Sequence, residues 1–138
     1  MSEENKALMR RWFEEVWNQG RADTIDELLD DHIVIHGLAD KDDNVVEGVQ
    51  AFKEFHRQFH GAFPDIAITL EDVIAEGDRV AARCSVRARH TGETLGISAS
   101  HSDVEFDGIA IVRIKDGKFV EAWNNFDFLK MNRQLGVL

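Results

Sequence analysis

Asp127 stands four residues after Trp123, with Asn125 between them, so an extended strand would carry all three on one face. A carboxyl desolvated against an indole has its pKa lifted towards neutrality, and such a group can take a proton and later return it. Asn125 beside it can hold the carboxyl or hydrogen-bond a ligand carbonyl. Asp127 can equally cap the segment that follows, or pair with an arginine. Three histidines are candidates to assist it: His36 at the end of an apolar run, His56 within a phenylalanine-rich helical face, and His90 on the inward side of a long alternation. An inward imidazole can donate to an enolate or satisfy a backbone carbonyl in the core. His101 falls in a connection that can reach a pocket mouth.

Other chemistries find less support. His56 and His60 are four apart on a helix, but the zinc-protease pattern needs Glu where Arg57 stands, so no metal site is expected. Cys84 sits inside an apolar alternation and reads as a core filler. No Ser or Gly-rich loop has the spacing of a nucleophile elbow or a phosphate cradle, and no cofactor is expected.

The elements that must position these groups follow from hydrophobic period. Leu8, Met9, Trp12, Phe13, Val16 and Trp17 cover nearly half of a helix that Ser2 can cap and Gly20 ends. A short second helix carries Ile25, Leu28 and Leu29, and His32 to His36 reads as a strand. Residues 37 to 46, with Asp40, Asp42, Asp43 and Asn44, make a loop. A third helix from Gly48 aligns Val49, Phe52, Phe55, Phe59 and Phe63, and Pro64-Asp65 ends it. Trp12, Val16, Phe52 and Phe59 are therefore candidate walls of a binding site.

Strands follow, joined by Glu76-Gly77-Asp78 and Asp116-Gly117 turns and by a connection from Gly92 to Ser102. Val80 to His90 alternate inward, as do Val104, Phe106, Gly108, Ala110, Val112 and Ile114, and Phe119 to Asp127 pairs back. Phe106 joins the candidate walls. Gly108 and Ala110 leave room either for a ligand or for close packing of a helix. Three helices and then a mainly antiparallel, curved sheet make an α+β domain. Outward lie Arg79, Arg83, Arg87, Arg89, Glu105, Asp107 and Arg113 around Ile109 and Ile111. This is either a homodimer interface or a solvated face crossed by ion pairs.

Composition bounds the partners. The 138 residues suit one domain, and 43% hydrophobic content suits an ordinary core. A formal net charge of −10 makes nucleic acid and anionic membrane surfaces poor partners. Cys84 is the sole cysteine, which excludes an internal disulfide. Ser2-Glu3-Glu4 lacks the basic start of a signal peptide, and no apolar run approaches a membrane span. A cytoplasmic location is the expectation.

The phrases Phe63-Pro64-Asp65, Ala75-Glu76-Gly77-Asp78-Arg79-Val80, His90-Thr91-Gly92-Glu93, Asp116-Gly117-Lys118 and Glu121-Ala122-Trp123 occur in this order, followed by Asp127 and Gln134-Leu135-Gly136. Together with Val16-Trp17-Asn18-Gln19-Gly20 they give a chain that resembles the SnoaL-like polyketide cyclases, within the nuclear transport factor two-like superfamily. The resemblance implies a cone-shaped α+β barrel with a deep pocket, often dimerised through the outer sheet face. It also implies metal- and cofactor-free aldol ring closure of a polyketide-like ester, with an acid/base aspartate on the last strand, the position that Asp127 matches. Ile97-Ser98-Ala99-Ser100-His101 departs from the family pattern, which runs through a Pro and a Gly there. The strand from Val104 also lacks an inward histidine that some members use.

Two functions are therefore expected as alternatives. One is a cofactor-free enzyme acting on a small hydrophobic carbonyl compound, with Asp127, His36 and His90 as catalytic candidates and His56, Trp123 and Asn125 among the substrate contacts. The other is a non-catalytic ligand-binding or assembly module.

Overall fold

The computed structural model describes residues 2–38, 45–93 and 98–137. The expected loop residues Asp40, Asp42, Asp43 and Asn44, and Ile97 of the later connection, lie outside them. Helix α1 spans Ser2–Arg11, with Glu3 and Glu4 in its first turn and Arg10 and Arg11 in its last, the favourable sense for its dipole. Trp12–Asn18 continues it as a π-helix, in which Gln19 N donates to the carbonyl of Glu14 at 2.9 Å. In this wider turn residues four apart lie nearly above one another. The pairs Trp12-Phe13 and Val16-Trp17 are accordingly all buried.

Helix α2 (Ala22–Leu28), strand β1 (Leu29–His36), the short β2 (Val46–Glu47) and helix α3 (Val49–Ala62) follow. Then come β3 (Ala67–Glu76), β4 (Arg79–Arg89), β5 (Asp103–Lys115) and β6 (Lys118–Phe126). The six strands form one sheet in the order β2-β1-β6-β5-β4-β3, with β1 parallel to β6 and the other pairs antiparallel. The α+β class stands as expected, and the sheet stays open, with β2 and β3 as its edges. Residue 46, expected to end the loop, instead forms the β2 edge together with residue 47. Edge β3 is blunted by Asn18: its Nδ2 donates to Ile68 O at 2.9 Å and its Oδ1 accepts from Ile68 N at 2.6 Å.

A fourth helix, α4 (Phe128–Leu135), was not among the three expected. Asp127 caps it by accepting from Lys130 N at 3.0 Å, and Gly136 closes it at φ 79°. Met131 and Leu135 are its buried face. It covers the stretch of β5 that β6 leaves unpaired, where Gln134 exchanges hydrogen bonds with the backbone of Glu105 at 2.8 and 3.1 Å.

The register of β6 decides what faces the core. The Asp116-Gly117 turn sets Lys115 opposite Lys118 and Ile114 opposite Phe119, but Arg113 then faces Glu121, with Val120 as an extra residue. This β-bulge reverses the alternation beyond it. Ala122, Asn124 and Phe126 consequently pair with the buried Val112, Ala110 and Gly108 and face inward. Trp123 and Asn125 pair with the outward Ile111 and Ile109. The expected inward trio of Trp123, Asn125 and Asp127 is thereby corrected by one residue. Without the bulge, Glu121 would oppose Val112 inside the core, which is the physical reason for it.

Candidate functional site

An apolar cavity lies between the π-helical segment, α3 and the concave side of the sheet. Trp12, Trp17, Phe52, Phe59, Phe106 and Phe126 are among its walls. Its empty space, open mouth included, is about 690 Å³, while the free interior is about 60 Å³. The site is thus a narrow slot between aromatic rings, which a polycyclic ligand enters only by displacing side chains. Trp12 packs on Phe52 and Phe119 at ring distances of 5.2 and 5.7 Å, so the walls are mutually supported.

Among the described residues, and apart from the indole N–H groups, Asn124 supplies the only polar side chain of this lining. Its Nδ2 donates to the carbonyl of His36 at the end of β1, at 3.2 Å. The next residue, Gly37, has φ 85°, and a Cβ there would lie 1.8 Å from the carbonyl oxygen of Asn124. Only glycine permits this approach of the two chains.

Of the expected walls, Trp12, Phe52, Phe59 and Phe106 line the cavity. Val16 is fully buried behind it, and its carbonyl accepts a hydrogen bond from His56 Nε2 at 2.7 Å. His56 thus satisfies a π-helix carbonyl instead of facing the ligand space. Burial holds its pKa below the ordinary 6.5, the Val16 hydrogen bond opposes this, and neighbouring His60 lowers it further. His60 is the other imidazole of this helix, with a buried Nε2 that has no partner among the described residues.

The three residues expected to be catalytic are not brought together. Asp127 is exposed at the helix cap and absent from the cavity wall, because the strand ends at Phe126. His36 is on the outer sheet face, 2.8 Å from a Glu121 carboxyl oxygen and stacked on Trp123 at 5.6 Å. The imidazole and the guanidinium of Arg113 at 3.6 Å hold the Glu121 carboxyl below its usual range. Arg79 covers Trp123 from 5.1 Å, and Asn125 is exposed. His90 is wholly buried beyond the strand end, behind Phe63 at a ring distance of 5.4 Å. Its Nδ1 accepts from Ser100 N at 3.1 Å, which puts the proton on a buried Nε2 that has no partner among the described residues.

Cys84 is buried, and desolvation pushes its thiol up to about 12, in keeping with a core filler. Gly108 makes room for the ring of Phe126, which a Cβ would meet at 2.1 Å, whereas Ala110 lines the cavity. Among the described residues no three His, Cys, Asp or Glu side chains converge to hold a metal ion. No helix of the described residues is long and apolar enough to cross a membrane.

Asn124, the residue missed from sequence, was legible in principle. Strict alternation from Phe119 would bury Glu121, and the bulge that avoids this points Asn124 inward.

Comparison with solved structures finds the same fold in several proteins of Streptomyces. TsrD of Streptomyces laurentii is 29% identical over 99% of this chain and 97% of its own, with a TM-score of 0.83. AclR of Streptomyces galilaeus, a candidate hydroxylase, is 29% identical over 100% of this chain and 88% of its own, at 0.85. IdmH of Streptomyces antibioticus, a candidate polyketide cyclase, is 27% identical over 96% and 99%, at 0.81. A search among curated proteins finds no match. The family model for SnoaL-like polyketide cyclases matches residues 7–135, nearly the whole chain, from the first turns of α1 to the end of α4. The chain belongs to the SnoaL-like polyketide cyclase family.

Proposed function

We propose that the chain binds a neutral hydrophobic polycarbonyl compound in this cavity and promotes its intramolecular ring closure. The observation that carries the reading is a cavity whose described walls are aromatic and aliphatic, with one amide, that of Asn124, among them. Once side chains are displaced to admit it, such walls can hold a flexible chain folded on itself, which brings a nucleophilic carbon and a carbonyl into reach. In an aldol closure the enol carbon attacks the carbonyl carbon and forms the new C–C bond. The carbonyl π pair moves to its oxygen, the enol proton leaves to water, and the alkoxide takes a proton from water. No step asks for a cofactor. Asn124 anchors the oxygen end of the ligand. The acid/base role expected of Asp127 is not carried forward, because its exposed carboxylate already serves as a helix cap.

A linear aromatic poly-β-ketone ester tests the reading. Wild-type protein should accelerate its cyclisation over buffer, Asn124→Leu should lose on the order of 100-fold through misplacement of the ligand, and Asp127→Asn should keep its rate. Loss of activity in Asp127→Asn with an active Asn124→Leu would overturn it. Among the described residues no titratable side chain belongs to the cavity wall, which favours a second reading, ligand binding without turnover. That reading predicts saturable binding and no acceleration.

We also propose a homodimer through the outer sheet face. Ile74, Ala81, Ile111, Trp123 and His36 form one row across five strands. Ile74 is 66% and Ile111 36% exposed. A row Glu76, Arg79, Arg113 and Glu121 flanks it with charges of both signs, suited to an interface rim.

A further inference from the structure

We infer that Phe128, the first residue of α4, gates the cavity: its ring closes the mouth, and a ligand enters only while that ring is turned outward. The inference rests on the proposed binding of a hydrophobic ligand in this cavity and names what controls access to it. Among the described lining residues Leu38, Phe55, Asn124, Phe126 and Phe128 are half-buried, and all the others are buried. These five follow one rim. Leu38 comes after the close approach of Gly37 to Asn124, and the rings of Phe126 and Phe128 are 6.2 Å apart. Phe59 links Phe128 to Phe55 at ring distances of 6.3 and 5.8 Å. The lining reaches solvent along this rim, so the cavity opens here.

The free interior of about 60 Å³ admits nothing larger than a few atoms until a rim group moves. Asn124 is tied to His36 O, and Phe126 fills the notch at Gly108, where a Cβ would meet its ring at 2.1 Å. Phe55 is packed among Trp17, Phe52 and Phe59 at ring distances of 6.3, 6.1 and 5.8 Å. Phe128 differs, because its backbone is fixed while its ring is not. Asp127 N donates to Asp107 O at 3.0 Å, and Asp127 Oδ1 accepts from Lys130 N at 3.0 Å. The ring meets Phe106, Phe126 and Phe59 at 6.0, 6.2 and 6.3 Å, while Asp127, Leu129 and Lys130 beside it are exposed. Rotation about χ1 takes the ring towards solvent without breaking a hydrogen bond. Aromatic contacts alone hold it shut, so the open arrangement is a minor state, on the order of 0.1–10% of the molecules.

Stopped-flow mixing with 2-naphthol tests the gate. Its neutral-form emission rises where water cannot take the proton, so entry into the cavity is followed directly. A gate open a tenth of the time or less slows association by about tenfold or more. Phe128→Ala, with its fold checked by circular dichroism, should therefore raise the association rate constant about tenfold. Phe128→Trp, a larger plug, should lower it. A ring that is merely part of the wall predicts something else: unchanged association in both variants, with faster dissociation from Phe128→Ala. That result overturns the inference and leaves the cavity reading standing. If Phe128→Ala does not fold, the Phe128→Trp rate decides, and association as fast as in the wild type overturns the gate. If 2-naphthol does not bind the wild type, the gate and the cavity reading both fall.

Discussion

At the scale of single residues, a one-position difference separates Asn124, inside, from Trp123 and Asn125, outside. Asp127 was legible as a helix cap as readily as an acid/base, and the exposed carboxylate bonded to Lys130 N shows the cap. His56 was legible as a buried histidine, but its partner was not, since the Val16 carbonyl is freed by a π-helical turn that periodicity does not announce. This histidine has a consequence for stability. Its folded pKa is depressed, so the unfolded chain binds the proton more readily below about 6.5. The stabilisation is complete above that value and declines as pH falls through it. The urea midpoint should therefore be lower at about pH 5.5 than at about pH 7.5. His56→Gln, which keeps a donor for Val16, should flatten this difference. An unchanged pH profile in His56→Gln would assign the decline elsewhere. The carboxylates with lowered pKa, such as Glu121 and Glu15, start from 4.5 and act in a more acidic window.

At the scale of elements, helix and strand types were readable because apolar residues kept their periods, and turns such as Asp116-Gly117 fixed where strands end. Irregularities were harder. The π-helical Trp12–Asn18 has no composition signal of its own, and the Val120 bulge shows only indirectly, through the burial it spares Glu121. Helix α4 carried a signal, with Asp127, Met131, Leu135 and Gly136 at cap and core spacing, but the preceding strand pattern ran into it. Gly108 shows how one element makes room for another. In Gly108→Ala the new methyl would meet the Phe126 ring across the β5–β6 pair. Such overpacking should cost about 1–3 kcal/mol in urea unfolding and weaken 2-naphthol binding as Phe126 is pushed from its place. A variant with wild-type stability and affinity would show that the ring moves freely, contrary to the packed wall described above.

At the scale of the whole molecule, the fold class and the family were legible because many short phrases kept their order along the chain, and the family model spans residues 7–135. The sheet's two faces were legible from alternation on β4 and β5, but not the continuity of the outer row, which needs the registers of four strand pairs. Light scattering on a gel-filtration column should give a dimer for the wild type and a monomer for Ile111→Asp, which puts a charge at the centre of that row. A monomeric wild type at micromolar concentration would contradict the proposed interface.

The most direct test of the central claim is a crystal structure of the protein with 2-naphthol. The account predicts the rings between Trp12, Phe52 and Phe106, with the hydroxyl within about 3.2 Å of the Asn124 side-chain amide. A ligand seated instead on the outer face beside Trp123 and His36, or against the Asp127 carboxylate, would contradict it.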